Sequence, residues 1–249
     1  MSGAWADNQV YWATLAYARW WLAVDGPFLG AVYTNKGFTE PLLRRIAVRY
    51  NVNRGLLQPK GQTAGGDASA TGMIGLLSAA ANGWPDDLED RAARCVHIAE
   101  TALDKKWTKT LQVSGVSKFM WFLKPDGWTL FDRFAVAGMK VPVNWSRRDQ
   151  FEAFYEALAD ASFNDVAARI ERTVLSSSIP NLPSSRILDS LLMARGARGS
   201  ATHEVDESRT FLGLLPPAAR DDLHRLAIQI QVEIGNDVLP PMTTKRKKS

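Results

Sequence analysis

Hydrophobic side chains recur at helical spacing along most of this chain. Between residues 8 and 24, Tyr11, Trp12 and Leu15 fall on one helical face, and Asp25-Gly26-Pro27 is predicted to break that helix. No alternating pattern typical of β-strands is sustained. The sequence therefore predicts an all-α protein. Further helices are predicted at 42–50, 69–82, from 86–89 towards Trp107, after the capping sequence 146–149, and at 165–175, 184–194 and 217–234.

The composition excludes several classes of protein. No apolar run is long enough to span a membrane, and the N-terminal residues lack the pattern of a signal peptide. The single cysteine, Cys95, cannot form an intrachain disulfide, so we expect a reducing cytoplasm. Because three scattered histidines (His97, His203 and His224) and one cysteine form no ligand cluster, we expect neither a metal nor a cofactor.

The positive charge is concentrated in particular segments. The formal net charge is +4, and the segment 245–249 contains four of the basic residues, so residues 1–244 are neutral overall. Within this neutral body, 36–60 carries six basic residues against one acid, and 104–149 carries nine against four. Two basic segments in a neutral body predict a basic face, which is typical of proteins that bind nucleic acid.

The second basic segment also contains a candidate pair for covalent catalysis, Lys118 and Asp132. A deprotonated lysine amine can attack a sugar anomeric carbon or a carbonyl and form a Schiff base. A nearby carboxylate can stabilise the cationic charge that develops on the sugar and can assist proton transfer. Between the two residues, Lys124-Pro125-Asp126-Gly127 has the composition of a turn, which would bring Asp132 back towards Lys118. The common alternative is that the lysine and the aspartate are solvated or ion-paired rather than catalytic.

The segment 113–135 reads VSGVSKFMWFLKPDGWTLFDRFA. This order of glycine turn, lysine, helix, loop and aspartate resembles the helix-hairpin-helix superfamily of DNA base-excision glycosylases, in particular the prokaryotic 8-oxoguanine DNA glycosylase-like group. The resemblance implies two packed helical lobes, a helix-hairpin-helix-like element and an active-site cleft between the lobes. It also implies that Lys118 attacks C1′, that Asp132 lies nearby, and that the backbone of Gly115, Val116 and Ser117 binds a phosphate. Residues 1–244 would form one glycosylase-like domain with its motif at 111–135, and 245–249 a disordered basic tail.

Aromatic residues lie between the candidate lysine and aspartate. An enzyme that acts on a base must flip it out of double-stranded DNA and hold it between flat apolar surfaces, for which Trp121, Phe122 and Trp128 are candidates. The alternative is that these rings pack in the core of the protein. The excised base is open among an oxidised, an alkylated and a hypermodified base.

Other functions remain open. If Lys118 is only structural, Asp132 could still activate water, giving a glycosylase without abasic-site lyase activity. A second class is a non-catalytic helical DNA-binding or scaffold subunit of a repair or anti-phage defence system. The residues before Lys118 favour that class, because they contain one glycine and no proline. A third class is a helical interaction protein without a nucleic-acid role.

Overall fold

The computed structural model describes residues 7–55, 68–142, 144–176, 181–197 and 200–239. It confirms the all-α prediction, since these ranges contain no β-strand. The predicted disordered tail at 245–249 lies outside the described residues. The helices are α1 Gln9–Trp20, α2 Gly26–Thr34, α3 Glu40–Arg49, α4 Ala68–Ala81, α5 Leu88–Asp104, α6 Val113–Leu123, α7 Arg133–Gly138, α8 Arg147–Asp160, α9 Phe163–Leu175, α10 Ser184–Gly196, α11 Ser200–Leu214 and α12 Pro217–Ile234.

The predicted break at Asp25-Gly26-Pro27 is wrong. A π-helical turn, Trp21–Asp25, follows α1 directly and leads into α2 without an intervening loop. Pro27 lies in the first turn of α2, directly after the π-helical turn, and has no N–H group to donate to that preceding turn. The chain therefore stays helical through the glycine and the proline, and Asp25 becomes the buried last residue of the π-helical turn.

The helix α11 has no counterpart among the predicted helices. Its buried positions include Val205, Ser208 and Leu212, which have helical spacing, but one of the three is polar. A pattern this weak does not distinguish a helix from a polar loop. Its burial comes from tertiary packing, because α11 lies against α1.

The helix that carries Lys118 lies at the centre of one part of the core. Helix α6 contacts α2, α3, α4, α5 and α8, and it buries Phe119, Met120, Trp121 and Phe122. In the other part of the core, α1 packs against α10, α11 and α12, and α7 packs against α10. The short helix α7 begins after Asp132, so the packing of α7 on α10 fixes where the candidate carboxylate lies.

The contact between α7 and α10 depends on two glycines, Gly138 of α7, where a Cβ atom would collide with the Leu192 carbonyl oxygen, and Gly196 at the end of α10. A Cβ atom on Gly196 would collide with the carbonyl oxygen of Phe134 and the amide nitrogen of Gly138, both of which are backbone atoms that cannot move independently.

We expect Gly196→Ala to lower the free energy of unfolding by about 1–3 kcal/mol, as overpacking usually does. Chemical denaturation measures this change. The control is Gly75→Ala on α4, where an added Cβ has open space; an equal loss of stability in both variants would contradict the packing argument.

Candidate functional site

Both candidate catalytic residues line one cavity of about 440 Å³. Lys118 of α6 and Asp132 at the start of α7 line it together with residues from α1, α10 and α11. The prediction that the lysine and the aspartate converge is therefore in agreement with the structure. The turn between them also has the expected form, because Gly127 has a φ of +70° and the Arg91 guanidinium donates a hydrogen bond of 2.6 Å to the carbonyl oxygen of Asp126.

The amine of Lys118 is buried and has two hydrogen-bond acceptors. Its Nζ atom donates to the Phe131 carbonyl oxygen at 2.8 Å and to Ser114 Oγ at 2.9 Å, and the residue is 4 % exposed. Burial lowers the pKa of Lys118 to about 8; the negative charge of Asp132 opposes this shift, and the positive charge of Arg186 adds to it. A large fraction of this amine is therefore neutral at mildly alkaline pH, as nucleophilic attack requires.

This lowered pKa predicts the pH dependence of any reaction in which the Lys118 amine is the nucleophile. Only the neutral amine attacks, so the rate of covalent adduct formation should rise with pH and level off above about 8. Below that pKa, each pH unit should reduce the rate about tenfold, because the neutral fraction falls by that factor. Single-turnover trapping with DNA bound to saturation measures the profile. A rate that is still rising towards pH 10.5, the ordinary pKa of lysine, would contradict this account.

Asp132 has a structural role beside its candidate chemical one. It is the N-cap of α7, and its Oδ1 accepts a hydrogen bond of 2.9 Å from the backbone N–H of Phe134. The side chain is only half-buried and lines the cavity. The cap leaves the second carboxylate oxygen available to a ligand or to a proton transfer, since one oxygen accepts the capping bond.

The predicted aromatic contacts to a base are not supported. Trp121, Phe122 and Trp128 are at most 2 % exposed, and none of them lines the cavity. Trp121 is covered by the Arg186 guanidinium, 5.3 Å from the ring centroid, and Trp128 packs against Trp84 and Tyr155. These rings form the core beneath the site, which was the alternative interpretation.

The predicted glycine turn before Lys118 is wrong. Gly115, Val116 and Ser117 lie inside α6, which begins at Val113. The N–H of Val116 donates to the Gln112 carbonyl oxygen at 2.9 Å, so it cannot also bind a phosphate as the resemblance implied. Ser117 Oγ instead donates to the Ser114 carbonyl oxygen at 3.1 Å and accepts from the Phe131 N–H at 3.3 Å. This last bond holds the segment before Asp132 against α6.

The aromatic residues that line the cavity were missed by sequence analysis. They are Tyr17 and Trp20 of α1, Tyr50 after α3, and Phe134 of α7. The spacing in α1 indicated a core face, which is correct for most of that helix, but it could not show that one end of the face opens into a cavity. Three of the rings lie beside arginines: Arg49 stacks over Trp20 at 4.6 Å, Arg133 stacks over Phe134 at 4.5 Å, and the Arg186 guanidinium lies 5.4 Å from the Tyr17 ring centroid.

Charged residues of both signs complete the lining. Arg19 forms ion pairs with Glu204, at 3.2 Å, and with Glu207 across the contact between α1 and α11. Burial raises the pKa of Glu204, an effect that Arg19 opposes. Arg186 of α10 forms a buried ion pair with Asp189. The cavity thus combines ring surfaces with paired charges, besides Lys118 and Asp132.

The two basic segments of the sequence meet in the fold. The backbone N–H of Lys109 donates to the Gly55 carbonyl oxygen at 3.0 Å, and Gly115 lies next to Val52. Exposed basic residues on these segments include Arg45, Arg49, Lys105, Lys106, Lys109, Arg133 and Arg147. Of these, Arg49 lines the cavity and Arg133 directly follows the lining residue Asp132.

No protein-family model matches this chain, and the searches of curated proteins and of solved structures likewise found no match. The described residues contain no group of three or more His, Cys, Asp and Glu side chains placed to hold a metal ion. Within the same ranges, every helix is too short or too polar to cross a membrane.

Proposed function

We propose that this protein is a DNA N-glycosylase that excises a damaged or modified base, with Lys118 as the nucleophile and Asp132 as the assisting carboxylate. The observation that carries the proposal is their shared cavity, in which a lysine with a lowered pKa and a half-buried aspartate lie among aromatic rings. The basic residues beside the cavity fit the phosphates of double-stranded DNA, and the aromatic walls fit a base flipped out of the helix.

In the proposed reaction, the neutral amine of Lys118 attacks C1′ of the flipped nucleotide. The bond between C1′ and the base breaks, its electron pair stays on the base nitrogen, and the base takes up a proton. The Asp132 carboxylate stabilises the positive charge on the sugar and accepts the proton that the attacking amine releases. Opening of the sugar ring, with protonation of O4′, then gives a Schiff base; loss of a C2′ proton and departure of the 3′ phosphate would cleave the strand.

The family resemblance supplies a model for how the DNA would bind. In this model α5, the connection at 105–112 and α6 take the place of the helix-hairpin-helix element, and the cavity is the cleft between two helical lobes. The exposed lysines of that connection, Lys105, Lys106 and Lys109, would contact backbone phosphates, whereas Arg49, Arg133 and Arg147 would contact phosphates nearer the flipped nucleotide.

The experiment that tests this function uses duplex oligonucleotides carrying a panel of altered bases, oxidised, alkylated and hypermodified. One sample is treated with borohydride to trap a Schiff base, and a parallel sample is treated with alkali to reveal abasic sites. A trapped adduct together with released base supports the proposal and identifies the substrate. Alkali-labile sites without an adduct would instead support a glycosylase in which Asp132 activates water.

A non-catalytic DNA-binding subunit is the second candidate function. The hydrogen bonds of Lys118 to Phe131 and Ser114 favour it, because they give the buried amine the acceptors that a lysine with a purely structural role needs. This candidate predicts DNA binding that weakens with salt and survives Asp132→Asn, with no base release from any duplex of the panel.

A further inference from the structure

Asp25 is a buried carboxylate behind the wall of the cavity. It is 0 % exposed, and it accepts hydrogen bonds from the Trp20 indole N–H at 2.8 Å, from the Tyr17 hydroxyl at 3.2 Å and from the Tyr50 hydroxyl. The Arg186 guanidinium also donates to it, at 3.4 Å. All four donor residues line the cavity, although Asp25 itself is not among the lining residues.

The backbone at Asp25 explains how these donors reach one carboxylate. Asp25 ends the π-helical turn Trp21–Asp25, and Trp20 precedes it by five residues. A π-helical turn pairs residue i with i+5, whereas neighbours on a regular α-helix are three or four residues apart. The turn therefore brings Asp25 onto the face of α1 that carries Trp20. Turns of this kind are often found at functional sites.

The hydrogen bonds to Asp25 also determine what the cavity wall can offer to a ligand. The polar groups of Trp20, Tyr17 and Tyr50 all point at the carboxylate, so they are occupied. Burial and the charge of Asp25 raise the pKa of both tyrosines, so the hydroxyls remain donors. Trp20 and Tyr50 are half-buried and line the cavity, with their ring planes 78° apart, and the Arg49 guanidinium lies over the Trp20 ring. Ring surfaces bind flat heterocycles by stacking, with little dependence on the pattern of donors and acceptors.

We propose that Asp25 is a positioning residue that fixes Trp20 and Tyr50 as two walls at nearly a right angle for a planar heterocyclic base, so that one ring stacks on the base and the other meets its edge, and that Asp25 anchors Arg186 beside Lys118. The proposal deepens the glycosylase function and rests on it for the identity of the ligand as a flipped base. It does not depend on the chemistry of Lys118, because stacking precedes attack.

The test compares two duplexes of the same sequence, one with 2-aminopurine opposite cytosine and one with a tetrahydrofuran abasic analogue at the same position, which has no C1′ aldehyde to react with Lys118. Binding is measured by fluorescence anisotropy at pH 6, where Lys118 is protonated and attack is slow. The ratio of the two dissociation constants reports the contribution of the base. For wild type we expect tighter binding of the base-containing duplex by about tenfold, the size expected for one stacked base.

Two substitutions and one control then test whether Asp25 and its hydrogen bonds produce this preference for the base-containing duplex. Asp25→Asn removes the charge and turns an acceptor into a donor, so the preference should fall to about one. Tyr50→Phe keeps the ring and removes only its hydroxyl bond to Asp25, so the preference should fall by roughly threefold, equivalent to loss of one ordinary hydrogen bond. Tyr11→Phe is the matched control, because its hydroxyl pairs with His224 and Tyr11 is not a lining residue; it should leave the preference unchanged.

The outcomes separate this proposal from the glycosylase function. A preference that Tyr50→Phe lowers, in a protein that releases no base from any duplex, supports the positioning role and contradicts the glycosylase. Base release combined with an unchanged preference in Tyr50→Phe overturns the positioning role and leaves the glycosylase standing. The absence of any preference in wild type also overturns it. If Asp25→Asn does not fold, Tyr50→Phe decides the question alone.

Discussion

Replacing Lys118 with alanine should abolish the covalent adduct with DNA and strand cleavage at the abasic site. The amine is the group that would form the bond to C1′, and an alanine cannot replace it. Loss of a covalent nucleophile typically lowers a rate by roughly 10³-fold or more. The measurement is borohydride trapping under single-turnover conditions, with the DNA-bound fraction determined separately so that a loss of binding is not mistaken for a loss of chemistry.

The matched control for this prediction is Lys124→Ala, which removes an exposed lysine just beyond the end of the same helix. The hydrogen bonds of Lys124 are made by its backbone, since its N–H donates to the Met120 carbonyl oxygen and its carbonyl oxygen accepts from Trp128 Nε1, and the substitution retains both groups. Trapping at the wild-type rate in Lys118→Ala would show that another amine is the nucleophile. Base release that persists without trapping would limit Lys118 to lyase chemistry.

Replacing Asp132 with asparagine should reduce base release by about 10²–10⁴-fold, the usual contribution of one acid–base group. The fold should be retained, because asparagine is as good an N-cap as aspartate and can still accept the Phe134 N–H with its amide oxygen. The substitution therefore removes the charge of the carboxylate without disturbing the start of α7. Single-turnover base release, followed by alkali treatment, measures the effect.

Two further variants show whether the loss of base release in Asp132→Asn comes from the missing carboxylate charge or from a disturbed helix cap. Asp126→Asn removes an exposed carboxylate on the nearby turn, where the bond to Arg91 is made by the backbone carbonyl, and it should release base at the wild-type rate. Asp132→Ala should lose activity and, in addition, about 1 kcal/mol of stability from the missing cap. Full activity in Asp132→Asn would mean that Asp132 is only a helix cap.

The sequence predicted the fold class and the convergence of Lys118 and Asp132 because both depend on local patterns. Helical spacing is repeated along the chain, and a single turn at 124–127 separates the two candidate residues. The aromatic contacts were predicted wrongly for a related reason. Helical spacing groups Trp121 and Phe122 on α6, but α6 is surrounded by other helices and has little surface left to face a cavity.

The rest of the site could not be derived from the sequence because its residues are distant along the chain. Asp25 and Arg186 are 161 positions apart and meet only through the packing of α1 on α10. The role of Asp25 also depends on a π-helical turn, whereas Asp25-Gly26-Pro27 has the composition of a helix break. The contribution of α11, with Glu204 and Glu207, was missed because that helix has only a weak hydrophobic pattern.

The central claim is that the amine of Lys118 reacts with the sugar of a flipped nucleotide. The most direct test is to trap the wild-type protein on the reactive duplex with borohydride, digest the adduct and locate the modified residue by mass spectrometry. The account predicts a nucleotide remnant attached to the peptide that contains Lys118. Attachment to a different amine, such as a lysine of the segment 245–249, or no adduct and no base release with any duplex of the panel, would contradict it.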